Sequence, residues 1–138
     1  MTDINAALGL SQLSRLTDFI RRRREITCVY DAAFADLPVQ SPWQHRDTES
    51  SWHLYVIRVA AEQHRAVFDA LRDAGIGVNL HYIPVYLQPY YRALGFSQGL
   101  CPEAEAYAKE AISLPMFPTM TADQQDRVIE EVRRAVSA

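Results

Sequence analysis

The sequence predicts an α/β (α+β) domain: a small sheet of about three strands covered by helices and preceded by one long N-terminal helix. Three observations carry this. Apolar residues recur at helical spacing from Thr2 to about Asp36. Two segments, 52–59 and 75–82, are apolar enough to be strands. Capped helical patterns lie between and after them, giving the order helix, strand, helix, strand, loop, helix, short strand, helix.

In the first helix Thr2 is placed to cap the N-terminus, and Asp3 favours the first turn through the helix dipole. Its stripe is Ile4, Leu8, Leu13, Leu16 and Ile20, resumed by Val29, Ala33 and Leu37. An unbroken helix of this length would reach ~50 Å, against a radius of gyration of ~14 Å for a domain this size. Part of the stripe is therefore expected to overhang and to need a partner. Arg21 to Arg24 read as a solvated turn, because consecutive residues step around the helix. Asp18–Arg22 and Arg21–Glu25 offer i,i+4 pairs.

Pro38 and Pro42 close this region, and 38–51 read as a loop. In WHLYVIRV (52–59), Trp52, Leu54 and Val56 share one face, and His53, Tyr55, Ile57 and Val59 the other. Both faces are apolar, so the strand is expected to be covered on both sides. Glu62 to Ala74 form a helix that turns Val67, Phe68, Leu71 and Ala74 inward and stops at Gly75. A second strand follows to Tyr82, then irregular chain with a helical turn at 89–94. Pro102 opens a helix to about Ala111, and SLPMFP (113–118) is extended. Thr121 and Gln124 make a capping box for a last helix that buries Val128, Val132 and Val136.

The 138 residues suit one domain, and nearly half of them are apolar. A net charge of −3 argues against nucleic acid. Cys28 and Cys101 have no framework spacing and are expected to be reduced, in a cytoplasmic protein without signal peptide or membrane span.

The histidines (His45, His53, His64, His81) show no metal-ligand spacing, although His53 and His81 lie on predicted strands that can approach each other. No nucleophile elbow and no phosphate-cradling glycine motif occurs. Ser113, two residues before Pro115, reads as a turn serine. Lys109, the only lysine, reads as a solvated helix residue beside Glu103, Glu105 and Glu110. The segment VNLHYIPVYLQPYY (78–91) remains. Tyr86, Gln88, Tyr90 and Tyr91 project from a loop stiffened by Pro84 and Pro89. Rings stack on sugars and bases while hydroxyls and amides hydrogen-bond. Tyrosine is equally at home against a partner subunit, and local chemistry fits both.

Four stretches, MTDINAALGLSQLSRL (1–16), WHLYVIRV (52–59), GIGVNLHYIPVYLQPYYRALGF (75–96) and ISLPMFPTMTADQQDRVIEEV (112–132), together resemble the C-terminal part of the DegT/StrS-type nucleotide-sugar aminotransferases. They look most similar to the 4-aminotransferases that make UDP-4-amino-4,6-dideoxy sugars on the pseudaminic acid route. The resemblance implies a dimeric pyridoxal phosphate (PLP) enzyme whose large domain holds the cofactor and its lysine. Residues 1–138 would be the small C-terminal domain, with 1–37 as connecting helix and 38–138 as α/β subdomain. The large domain would be missing, so no residue here matches the catalytic lysine, the acid at the pyridine nitrogen or the phosphate-binding serine.

The resemblance further implies that His81, Tyr82, Pro84, Tyr86 and Gln88 shape the substrate pocket. The unfilled apolar stripe of the first helix, Leu8, Leu13, Leu16 and Ile20, is expected to form an interface. Asn5 stands where many relatives have glutamine, and Tyr86 where many have histidine. A tyrosine does not titrate near neutral pH. The leading expectation is a fragment, inactive alone, of an enzyme moving an amino group from an amino acid, expected to be glutamate, to a 4-keto nucleotide sugar. The alternative is a free-standing interaction or ligand-binding module derived from such a domain.

Overall fold

The computed structural model describes residues 1–137. Helix α1 (Asp3–Leu13) is followed by α2 (Leu16–Phe34), β1 (Tyr55–Arg58) and α3 (His64–Asp73). A 3₁₀ turn (Val85–Leu87), α4 (Pro89–Ala93), α5 (Pro102–Glu110), β2 (Ala111–Leu114) and α6 (Ala122–Val136) complete the chain. The predicted single N-terminal helix is two helices. The Ser14 hydroxyl donates to the Ser11 carbonyl at 2.8 Å. That carbonyl would otherwise receive the Arg15 amide, which bonds Gln12 instead. Such back-bonding by serine tightens and breaks a helix.

α1 buries no residue. Thr2 caps it as expected, accepting from the Asn5 amide. α2 buries Ile26, Thr27, Tyr30 and Phe34. The predicted stripe is therefore displaced: Ala33 and Leu37 flank the core, but Val29 is exposed.

The sheet has two strands rather than about three. β1 and β2 are antiparallel, with Tyr55 opposite Leu114 and Arg58 opposite Ala111. Isolated bridges, Gln40 to Arg58 and Asn79 to Ser113, extend each edge by one residue. The expected strand 75–82 shrinks to that bridge because its amides are engaged locally. Val78 bonds the Ile76 carbonyl, and Leu80 bonds the Asn79 side chain. β1 is also shorter than 52–59, since Trp52 takes a left-handed backbone (φ 50°) that interrupts an extended run.

Tyr55, Ile57 and Val59 meet Ile112 and Leu114 on the core face, which α2, α3 and α6 cover. The other face is only half-covered. Val56 and Arg58 lie beneath α5, where Arg58 pairs with Glu110 and stacks over Tyr107, while Leu54 stays exposed. Trp52, predicted beside Leu54 and Val56, instead packs against the core near Tyr55. The capping box of α6 is present, with Val128, Val132 and Val136 buried. Gly75 ends α3 at φ 76°, a conformation that favours glycine.

The arginine run is only partly a solvated turn. Arg21 pairs with Asp18 and Glu25, and Arg22 pairs with Glu25 rather than Asp18. Arg22 also donates to the Met120 carbonyl at 2.8 Å. Nη1 of Arg23 reaches three carbonyls: Trp52, His53 and Met116. The run thus ties α2 to both strand ends.

Candidate functional site

The segment 79–101 leaves the sheet edge and crosses the surface. Asn79 bonds Ser113 through both backbone groups, at 3.1 and 2.8 Å, and so fixes where the segment departs. Two residues on, the His81 ring meets the Ser113 hydroxyl, with Nδ1 and Oγ 2.7 Å apart. Ser113 is 4% exposed on β2 and is a strand residue, not the turn serine expected. The Tyr82 ring stands edge-on to the imidazole at 4.6 Å and is 74% exposed. Pro84 precedes the 3₁₀ turn, and exposed Gln88 precedes α4.

Tyr86 sits in that turn, and its hydroxyl is engaged within the protein. It donates to Glu105 on α5 at 2.5 Å and accepts from the Cys101 amide at 3.2 Å. The Glu105 carboxylate also takes the Gly99 amide at 2.6 Å. One tyrosine and one glutamate thereby lock the 3₁₀ turn, the 99–101 loop and the start of α5 together. In the sequence Glu105 stands out only as a neighbour of Lys109; its pairing links positions 19 residues apart, and no local pattern announces it.

Hydrogen bonds from the Tyr86 hydroxyl and the Gly99 amide hold the Glu105 carboxyl below its ordinary value. Burial, then Glu105, pushes the Tyr86 hydroxyl up. A depressed carboxyl contributes stability that is complete above its unfolded value and lost as pH falls through the folded one. Gly99 amide protection from hydrogen exchange, corrected for intrinsic rate, is therefore expected to fall as pH drops below 4.5. Glu105→Gln should abolish that step; a wild-type protection factor constant into the acid range would remove the lock as its cause.

The other candidates stay apart. The His64 ring faces the Ala111 carbonyl, and His45 lies beside Asp47. His53 is exposed, and its carbonyl is held by Arg23. Among the described residues no group of three His, Cys, Asp or Glu side chains is placed to hold a metal. No described helix is long and apolar enough to cross a membrane. Cys28 and Cys101 are free, exposed thiols. The expected interface residues Leu8, Leu13 and Leu16 are exposed, and Ile20 is half-buried. Leu16 and Ile20 line an open cavity of about 520 Å³ with Arg15, Phe19 and His53.

The family model for DegT/DnrJ/EryC1/StrS aminotransferases matches residues 1–133. The chain belongs to this family. It is 42% identical over 143 residues to the spore coat polysaccharide biosynthesis protein SpsC of Bacillus subtilis, covering 99% of this chain and 37% of SpsC. Spr1654 of Streptococcus pneumoniae, described as a sugar aminotransferase, superposes with a TM-score of 0.93 at 35% identity, over 99% of this chain and 35% of its own. Its PLP form gives the same score. Helicobacter pylori PseC, an aminotransferase of pseudoaminic acid biosynthesis, gives 0.90 at 27% identity, over 99% of this chain and 38% of its own.

The chain thus spans little more than a third of these relatives. PLP in such enzymes is held by a lysine amine in a cavity. Lys109, the only lysine here, is exposed on α5. The residues of this chain do not fit a PLP anchor.

Proposed function

We propose that this chain works as the small, substrate-facing domain of a PLP-dependent sugar aminotransferase, and that it is inactive alone. The observation that carries this is the 0.93 superposition on Spr1654 over 99% of the chain. The complete enzyme would move an amino group from an amino acid, glutamate by expectation, to a 4-keto nucleotide sugar. The likeness to PseC supports the pseudaminic acid route, and that to SpsC supports surface-polysaccharide assembly more broadly.

In this reading His81, Tyr82, Pro84 and Gln88 form one wall of the sugar pocket. Tyr86 holds that wall to α5 and need not touch substrate. The exposed face of α1 is covered by a large domain or by a second subunit, in the cytoplasm. PLP would supply the electron sink, and the residues described here would orient the sugar.

The test joins residues 1–138 to the large domain of SpsC and assays amino transfer from glutamate to a UDP-linked 4-keto sugar. The chain alone should transfer nothing; transfer by it would overturn the proposal. Tyr82→Ala and Gln88→Ala in the fused enzyme should raise KM for the nucleotide sugar by about fivefold, with the donor KM unchanged. Unaltered sugar KM values would remove these residues from the pocket. The fused protein should also sediment as a dimer; a monomer would withdraw Leu8, Leu13, Leu16 and Ile20 as interface.

A further inference from the structure

His81 and Ser113 form a contact that the pocket reading does not use. Ser113 lies on β2, buried, opposite Val56 of β1, with both of its backbone groups bonded to Asn79. Its hydroxyl is therefore anchored to the two-stranded sheet. Among the described residues His81 Nδ1 is its only hydrogen-bond partner, at 2.7 Å.

A hydroxyl has one proton and two lone pairs, and a neutral imidazole has one N–H and one bare nitrogen. If Nδ1 carried the ring proton, it would donate to Oγ, and the Ser113 proton would be left buried without an acceptor. If Oγ–H donates to Nδ1, no donor is orphaned. An unmade donor costs more than an unused lone pair. The second arrangement is favoured, and it puts the ring proton on Nε2.

Nε2 has no hydrogen-bond partner among the described residues, and the only unpartnered buried side-chain atom among them is Thr27 Oγ1. Nε2 is therefore open to solvent on a half-buried ring. Tyr82 stands edge-on against that ring.

We infer that Ser113 is a positioning residue: it holds His81 in the Nε2–H form, so that the imidazole presents a hydrogen-bond donor to an oxygen of the nucleotide sugar. This rests on the reading of 81–88 as a pocket wall. The ligand atom must be an acceptor, such as a carbonyl, hydroxyl or phosphate oxygen, and a ring locked in one tautomer rejects a donor placed there.

Two measurements test it. In the 138-residue chain with labelled histidine, nitrogen spectra of the neutral ring should show His81 with a bare Nδ1 and a protonated Nε2. A proton on Nδ1 would overturn the inference. Ser113→Ala should average the two ring-nitrogen shifts toward those of free imidazole, and Ser113→Thr should restore them.

In the enzyme fused to the SpsC large domain, Ser113→Ala should raise the nucleotide-sugar KM about fivefold. The donor KM and the thermal midpoint should hold, and Ser113→Thr should recover the sugar KM. His81→Ala is run alongside. An unchanged KM in His81→Ala sinks the pocket reading itself. A raised KM there with none in Ser113→Ala leaves the pocket standing and sinks the role of Ser113.

Discussion

Replacing Tyr30 with alanine is expected to destabilise the domain by about 4 kcal/mol, the size of a large aromatic truncation in a packed core. Tyr30 is fully buried on α2. Its ring stacks on Phe34 at 5.4 Å and tilts against Tyr55 of β1 at 4.9 Å. Its hydroxyl donates to the Pro115 carbonyl just beyond β2 at 2.9 Å. One side chain therefore joins the helix to both strands. Small-domain stabilities are about 5–15 kcal/mol, so the loss would consume much of the total. Tyr30→Phe isolates the hydroxyl: it keeps the ring and leaves the Pro115 carbonyl unpaired, for about 1 kcal/mol. Urea unfolding at constant slope measures both. Equal losses for the two variants would mean that the hydrogen bond, not the ring, dominates.

Removing the Arg23 side chain should have the next largest effect, about 2–3 kcal/mol. Its guanidinium gathers the carbonyls of Trp52, His53 and Met116. Those groups end segments whose backbone turns away from the sheet, so they have no ladder partner to return to. Arg23→Ala leaves them unpaired and strips the methylenes that cover them. Arg23→Lys should recover only part of the loss: all three contacts fall on one nitrogen, and the lysine ammonium sits one atom short of the Nη1 position. The Trp52 φ of 50° is held by this contact together with the Ser50 hydroxyl on the Trp52 amide. Denaturation midpoints and tryptophan fluorescence read both consequences. An alanine variant as stable as wild type would make the arginine a surface residue after all.

Features governed by neighbours in sequence were legible. Thr2 and the Thr121–Gln124 box cap their helices, Gly75 stops α3, and the valines of α6 face inward. Each depends on residues within one or two turns. Where nearby groups compete for the same backbone partner, the winner was not legible. The hydroxyl of Ser14 takes a carbonyl that the helix needed, so a continuous apolar pattern became two helices. The strand 75–82 has the composition of a ladder, but its amides close on Ile76 and Asn79.

The site divides the same way. The proline-stiffened segment around His81 could be found by composition. Its supports could not: Ser113 is 32 residues from His81, and Glu105 is 19 from Tyr86. A serine two residues before a proline and a glutamate in a charged helix look ordinary until the fold brings them to their partners.

A chain with thirteen arginines and a single lysine carries one side-chain amine, and it projects into solvent from α5. Lys109 lies one helical turn from Glu105, on the element to which Tyr86 fastens the 3₁₀ turn. An amine-directed cross-link formed by a side chain of this domain can start only there. Each partner peptide recovered then gives a distance from a known origin, so α5 serves as a ruler for mapping what surrounds the domain.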